Sequence, residues 1–211
     1  MISAIAFLIA SYLFASIPWG FAIGKLKGID IRKQGSGNIG ATNVTRVLGK
    51  WWGRLCFFLD FLKGLVPVLI AVKLVRSDLI HDGSGIFVCL VAFTCVAGHM
   101  WSIFLKFTGG KGVSTSAGAL LALSPYATLT CCAIWAAVFL YSRYVSLASI
   151  IAACTLPLAA LIFGFAKVWP VQPAIFALLI IIALLALYRH RANIERLRNG
   201  TENRFSKKKK K

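Results

Sequence analysis

Long apolar stretches alternate with short polar segments along the 211-residue chain. Five stretches contain no Asp, Glu, Lys or Arg: 1–24, 83–105, 112–142, 144–166 and 168–188. A helix that spans a bilayer needs about 20 predominantly apolar residues, so each stretch is long enough to cross. A sixth stretch, 55–75, is apolar with a few charges. Since 59% of all residues are hydrophobic, the chain is predicted to be an all-α, polytopic integral membrane protein.

The stretch 112–142 is too long for one span and short for two. Ser124-Pro125 near its middle favours a turn, because proline fits badly inside a helix. We therefore expect two helices, at about 113–123 and 127–141, and the first need not cross the bilayer completely. The prediction is thus about seven membrane helices, one of them short.

Among the ionisable side chains within the predicted spans, Asp60, Lys63 and His99 need an explanation. Asp60 and Lys63 are three residues apart in one helix, so they can pair, and a structural role is favoured over a catalytic one. His99 lies near the inner end of its span. An ionisable group there is either a functional residue or a structural histidine with satisfied hydrogen bonds.

Basic residues predict how the chain is oriented. Twenty of the 24 Lys and Arg residues fall in three loops and the C-terminal tail. The positive-inside rule then predicts an external N-terminus and a cytoplasmic C-terminus. The formal charge of +18 reflects this topology and an affinity for anionic membrane lipids, and no nucleic acid is expected as a partner. We expect a single transmembrane catalytic domain over 1–205 and a basic, disordered tail over 206–211.

Polar chemistry is concentrated in the predicted cytoplasmic loops. The first segment, QGSGNIGATNVTR at 34–46, has a G-x-G-x-x-G pattern. It lies between membrane helices, which excludes the βαβ unit of a dinucleotide site. Its backbone N–H groups could instead hold an anion, and Arg46 could add two parallel hydrogen bonds. A flexible linker is the alternative.

The second segment, GHMWSIFLKFTGGKGVST at 98–115, contains a glycine turn, Gly109-Gly110-Lys111-Gly112. The spacing excludes a Walker A loop, because position 105 is Leu and another Gly follows Lys111. The turn nevertheless carries a cation and leads into a helix N-terminus, a combination that favours anion binding.

Two further segments contain candidate residues. In SRYVSLAS, 142–149, Arg143 is either a charge that anchors the topology or a ligand for substrate. The segment YRHRANIERLRNGTENRF, 188–205, is expected to continue the last span into the cytoplasm, with His190 and Asn193 on one helix face. An interfacial amphipathic helix would explain its basic residues equally well.

Together these motifs, with DFLKG at 60–64 and RHRANIERLRNGTE at 189–202, resemble the bacterial acyl-phosphate:glycerol-3-phosphate acyltransferase family. The resemblance covers essentially the whole chain, and Ile39 stands where the family often has proline. It implies transfer of an acyl group from acyl phosphate to the 1-hydroxyl of glycerol 3-phosphate, giving lysophosphatidic acid and phosphate. It also implies a bacterial inner-membrane location with the site on the cytoplasmic face, and no obligate protein partner.

By the same resemblance, residues of all four segments contribute to the site. The catalytic candidates are Ser36, Arg46, Lys111 and His99. The substrate-binding candidates are Asn38, Thr42, Asn43, Gly109, Gly110, Gly112, Arg143, Ser146, Ser149, His190 and Asn193, with either Ser146 or Ser149 as the serine ligand. No residue is an obvious general base, so the departing phosphate is expected to accept the hydroxyl proton.

The residues leave two other classes of protein open. A transporter of small phosphate esters would share the basic loops, but the outer halves of the spans lack the polar residues of a transport path. A non-enzymatic subunit that binds anionic lipid would explain the charge but not the glycine turns. No His, Cys and carboxylate cluster has ligand spacing, so no metal or other cofactor is expected.

Overall fold

The computed structural model describes residues 2–205, and every regular element among them is helical. These residues form two compact units that meet in sequence between Leu123 and Ser124. The predicted basic tail at 206–211 lies outside the described residues. That residues 1–205 act as one catalytic domain stays a prediction.

Unit 1, which ends at Leu123, contains six helices. These are α1 (Ile2–Ala15), α2 (Trp19–Leu26), α3 (Ala41–Leu48), α4 (Lys50–Arg76), α5 (Ile86–Met100) and α6 (Val113–Leu123). Short 3₁₀ turns lie at Ile31–Lys33 and Ile103–Leu105. The first polar segment therefore runs from the first 3₁₀ turn into α3, and the glycine turn directly precedes α6.

Helix α4 packs tightly against α6, and two glycines permit the close approach. A Cβ atom on Gly64 would overlap the backbone carbonyl of Thr115, and one on Gly118 would overlap the carbonyl of Phe61. Small residues at such crossings let helix backbones touch, which is how apolar helices gain packing energy without a hydrophobic driving force. The contact fixes where α6, and so the glycine turn before it, lies against α4.

Unit 2, which begins at Ser124, contains four helices. These are α7 (Pro125–Ser142), α8 (Val145–Phe165), α9 (Pro173–Arg189) and α10 (Arg191–Arg198). The predicted turn at Ser124-Pro125 is confirmed, but α7 begins two residues earlier than expected. Proline is favoured in the first turn of a helix, where its missing N–H has no intrahelical partner anyway.

The segment 188–205 is predicted to continue the last span, and the structure shows a sharp bend where the two meet. Helices α9 and α10 meet at an angle of 56°. His190 lies at the break, with φ −100° and ψ 5°, and its backbone N–H and ring Nδ1 both contact the carbonyl of Ala186. The break is therefore held by one side chain that bonds back to the preceding turn.

The helices occur at all seven positions predicted for membrane segments. Five helical stretches are long and apolar enough to cross a bilayer, and the bent pair α9–α10 makes a sixth if it counts as one span. Helix α6 has only 11 residues, as expected for the short segment. The all-α membrane fold is confirmed, while the number of crossings and the orientation remain predictions.

Orientation can be tested with two serine-to-cysteine variants in unit 1. Ser36 and Ser84 are both exposed and lie on either side of α4 in sequence. A membrane-impermeant maleimide should label Ser36→Cys only from the cytoplasmic side and Ser84→Cys only from outside, because the basic loop stays inside. Wild-type protein is the control for the native cysteines. The reverse pattern would show that the charge rule fails for this chain.

Candidate active site

The first polar segment is held together by Asn43, which is 1% exposed. Its side-chain amide donates hydrogen bonds to the carbonyls of Ile31 (3.2 Å) and Gln34 (3.0 Å). Its Oδ1 atom accepts one from the backbone N–H of Ser36 at 2.8 Å. Asn43, predicted to bind substrate, is thus bonded at both ends of its amide group and supports the loop.

Several backbone N–H groups that were predicted to bind an anion already donate hydrogen bonds within the loop. The Gly37 N–H donates to the Gln34 carbonyl (3.0 Å), and the Gly40 N–H donates to Oδ1 of Asn38 (2.8 Å). Positive φ at Gly37, 70°, is a conformation that favours glycine. Asn38 therefore stabilises the turn, while the side chain of Ser36 is exposed at its tip.

A buried apolar cluster joins the first segment to α4 and to the second segment. It consists of Ile23, Ile31, Ile39, Val44, Cys56 and Leu105. Val44 is the buried residue of α3 in this cluster, and Thr42 and Arg46 of the same helix are half-buried. Because Leu105 precedes the glycine turn, the cluster brings both polar segments against the same part of α4.

The glycine turn lies directly on His99. The Gly110 N–H donates to the His99 carbonyl at 3.1 Å. A Cβ atom on Gly109 would overlap that carbonyl, and one on Gly110 would overlap the imidazole ring. Gly112 has φ 78°, which favours glycine, and Lys111 between them is half-buried. Only glycine fits at these three positions of the turn. The turn places Lys111 just before the N-terminus of α6.

Beneath the turn lies a buried cluster of charges. Lys63 Nζ is 3.0 Å from Asp60 Oδ1, and the predicted pair is confirmed. Nδ1 of His99 is 3.5 Å from the same oxygen, at the outer limit of a hydrogen bond. The three side chains are 1–4% exposed. Among residues 2–205, no three His, Cys, Asp or Glu side chains are grouped closely enough to bind a metal ion.

In unit 2 two candidate residues, Ser146 and Asn193, bind Glu202, a residue that was not predicted to belong to the site. Its Oε1 atom accepts hydrogen bonds from Ser146 Oγ (2.9 Å) and Asn193 Nδ2 (2.7 Å). Its Oε2 atom accepts one from Arg196 Nε at 2.8 Å. Burial raises the pKa of Glu202, but the hydrogen bonds from Arg196, Asn193 and Ser146 outweigh it and hold the pKa below its ordinary value.

The hydroxyl of Ser149 also has partners within unit 2. It accepts a hydrogen bond from Trp135 Nε1 (3.0 Å) and donates one to the Val145 carbonyl (2.9 Å). Ser146 donates its own proton to Glu202. Neither of the two serines predicted as alternatives therefore has a hydroxyl proton left to donate to a ligand.

His190 is 2% exposed and is oriented by the helix before it. Its Nδ1 lies 2.8 Å from the Ala186 carbonyl, which can only accept, so Nδ1 must carry the proton. In neutral histidine this leaves Nε2 as the basic nitrogen. The contact with Ala186 thus fixes the orientation of the ring within unit 2.

Arg143 occupies the C-terminal end of α7 with φ 65°. Its backbone N–H donates to the Phe139 carbonyl (2.8 Å), and its carbonyl accepts from the N–H of Phe205 (3.1 Å). Its Nε atom is buried and has no hydrogen-bond partner among the described residues. A buried guanidinium N–H is costly without an acceptor, so this geometry suits an anionic ligand.

These features define a helical membrane protein with basic, glycine-rich polar segments, and its family follows from comparison with known proteins. Residues 5–200 match the family model described as glycerol-3-phosphate acyltransferase. The glycerol-3-phosphate acyltransferase of Aquifex aeolicus is 48% identical over 205 residues, which cover 96% of this chain and 99% of the relative. The glycerol-3-phosphate acyltransferase of Desulforudis audaxviator is 47% identical over 199 residues, which cover 93% of this chain and 92% of the relative. The chain belongs to the glycerol-3-phosphate acyltransferase family.

Two solved structures are also similar over nearly the whole chain. Both are crystal structures of PlsY, an integral membrane glycerol 3-phosphate acyltransferase. Its glycerol 3-phosphate form has a TM-score of 0.84 and 46% identity, and its lysophosphatidic acid form has 0.83 and 45%. Each match covers 97% of this chain and 96% of the other. The predicted family and fold class are confirmed.

The Glu202 contacts give a pH-dependent prediction. Glu202→Gln should lower the free energy of unfolding at pH 7 by about 1–3 kcal/mol, because a buried charged acceptor is replaced by a weaker one. Because the pKa of Glu202 is lower in the folded protein than in the unfolded chain, where it is near 4.5, the carboxylate stabilises the fold at higher pH. This contribution is lost as the pH falls from about 4.5 through the pKa of the folded state. The difference in thermal midpoint between wild type and variant should therefore shrink below about pH 4.5.

The exposed Glu195 provides the matched control. Glu195→Gln should leave the thermal midpoint close to that of wild type at every pH. If Glu202→Gln were as stable as this control at pH 7, or if its deficit stayed constant at low pH, the Glu202 carboxylate would not hold unit 2 together.

Proposed function

We propose that the protein transfers an acyl group from acyl phosphate to the 1-hydroxyl of glycerol 3-phosphate. The observation that carries this proposal is similarity over nearly the full length to proteins named for acyl transfer to glycerol 3-phosphate. The products are lysophosphatidic acid and inorganic phosphate. Both substrates are phosphate anions, and the acyl chain needs an apolar environment, which the helices offer.

The reaction forms one carbon–oxygen bond, breaks another and transfers one proton. The glycerol hydroxyl oxygen attacks the acyl carbonyl carbon, and the bond from that carbon to the phosphate oxygen breaks. The electron pair leaves with the phosphate, and the hydroxyl proton passes to the departing phosphate. Since acyl phosphate is already activated, neither a metal nor an acyl-enzyme is needed.

In unit 1 we assign Lys111 and Arg46 to substrate phosphate, with Ser36 and Thr42 as hydroxyl donors. The glycine turn supports this assignment because its backbone packs directly against His99, and this contact fixes the position of Lys111. The N–H of Gly110 is already bonded to His99, so Lys111 itself carries the larger part of the interaction. Donors that face developing negative charge stabilise the transition state by about 3–4 kcal/mol each.

In unit 2 we assign His190, Asn193 and Arg143 to glycerol 3-phosphate. Glu202 accepts one amide hydrogen of Asn193 and so orients its second hydrogen and its oxygen. Arg143 has a buried Nε without a partner, which an oxygen of the substrate would satisfy. Ser146 and Ser149 shape this region through their own hydrogen bonds.

We place the protein in the bacterial inner membrane with its site on the cytoplasmic face. The relatives are bacterial, and the basic polar segments belong on the cytoplasmic side by the positive-inside rule. Glycerol 3-phosphate is a charged solute, so a site on that face can draw it from the cytoplasm.

The proposal predicts a reaction that needs both substrates. Purified protein in detergent should release phosphate from palmitoyl phosphate only when glycerol 3-phosphate is present. Protein inactivated by heat is the control for spontaneous hydrolysis. Activity with acyl-CoA or acyl carrier protein but not with acyl phosphate would contradict the donor, and inactivity with every donor would contradict the function.

Charge-conserving substitutions test the two cations. Lys111→Arg places a longer, planar group in a confined turn, and Arg46→Lys removes a two-pronged donor. Each should lower turnover at least about tenfold, or about 1.4 kcal/mol of transition-state stabilisation. Lys50→Arg and Arg54→Lys make the same changes at exposed positions and should stay near wild type. Equal activity in all four variants would leave the two cations as topology signals only.

A further inference from the structure

We infer that Asp60 is a positioning residue that acts on the glycine turn through His99. The inference rests on the function proposed above and adds a residue that does not touch substrate. Asp60 lies inside α4 and is 2% exposed. Whatever it contributes to the reaction must therefore pass through the groups that it contacts.

The carboxylate of Asp60 is bound from several directions. Its Oδ1 atom faces Lys63 Nζ at 3.0 Å and His99 Nδ1 at 3.5 Å. Its Oδ2 atom accepts from the Cys56 thiol at 3.6 Å. The backbone carbonyl of Asp60 accepts from Thr115 Oγ1 at 2.9 Å. The side chain therefore has little freedom to move relative to α5 or α6.

Lys63 neutralises Asp60 and anchors the pair to a third helix. Its Nζ atom also donates to the carbonyl of Ile17 at 2.8 Å, at the break between α1 and α2. With its charge balanced by Lys63, the carboxylate does not need His99 as a counter-ion. The contact of Nδ1 with Asp60 Oδ1 at 3.5 Å limits how far the imidazole ring can rotate.

His99 connects this buried cluster to the turn. Its ring leaves no room for a Cβ on Gly110, and its carbonyl accepts the Gly110 N–H at 3.1 Å. The next residue is Lys111. A ring that rotates or shifts must displace Gly110 and with it the lysine, and misplacement of a reacting or stabilising group by about 1 Å can cost about 100-fold in rate.

A purely structural role does not explain why an ion pair lies at this buried position. Replacing a buried ion pair with apolar residues of similar volume is often neutral or stabilising. Ionisable residues in membrane segments are expensive and mark functional regions. The direct path from Asp60 through His99 to Lys111 gives this pair a function.

The test compares kcat and KM in folded variants. Asp60→Asn should lower kcat at least about tenfold, because the groups that it positions act on the transition state. KM for each substrate should change by less than about threefold, since Asp60 touches neither. Asp60→Glu keeps the negative charge that Lys63 requires but displaces the carboxylate, so it should show the same loss of kcat. This variant provides the test if Asp60→Asn does not fold.

A double-mutant cycle tests the path through His99. His99→Asn leaves the Asp60–Lys63 pair intact but removes the ring from beneath Gly110. The double variant with Asp60→Asn (or with Asp60→Glu) should be no slower than the slower single variant, since both changes break one connection. Additive losses would overturn the path. Asp82→Asn, at the opposite end of α5, is the matched control and should keep wild-type kcat.

A spectroscopic measurement tests the link without any assay. The chain has three histidines, so ¹⁵N-histidine labelling gives a simple NMR spectrum. The His99 ring nitrogens should shift in the folded Asp60 variant, while those of His81 and His190 stay in place. If wild type does not turn over its substrates, the proposed function fails but this shift still tests the link. Wild-type kcat in a folded Asp60 variant, a rise in KM alone, or an unmoved His99 signal would overturn the inference.

Discussion

Unit 1 depends on one interaction, the contact between Asp60 and Lys63 inside apolar surroundings. A lone charge there would be very costly, so each side chain requires the other at short range. Their remaining contacts reach the break between α1 and α2, the end of α5 and the start of α6. The two loops with the predicted phosphate ligands are connected to those elements. The pair therefore helps to fix the helices that the loops join, while Asn43 and the apolar cluster hold the first loop itself.

Unit 2 is organised around a carboxylate in a comparable way. Glu202 gathers a serine of α8 and an asparagine and an arginine of α10. Only six residues of the chain are acidic, and two of them arrange the candidate site residues of the two units. In a strongly basic protein whose substrates are anions, buried carboxylates stabilise the polar side chains without competing for the ligands.

Much of the fold could be predicted from the sequence because its signals are local. Apolar length predicted the spans, Ser124-Pro125 predicted the turn, and the spacing of Asp60 and Lys63 predicted their pair. Contacts between distant residues could not be read in this way. Glu202 is 56 residues from Ser146, and the sequence does not show which N–H groups of the glycine loop Asn43 and Asn38 already use. The break in the helix at His190 was not predicted either, because the length of an apolar stretch does not show that a histidine ring bonds to the preceding turn.

The central claim is that the protein passes an acyl group directly to glycerol 3-phosphate. Mass spectrometry of the lipid products tests it most directly, using palmitoyl phosphate and ¹³C-labelled glycerol 3-phosphate with purified protein. The account predicts ¹³C-labelled lysophosphatidic acid in an amount equal to the phosphate released. Phosphate release accompanied by free palmitate, with no labelled lysophosphatidic acid, would contradict it.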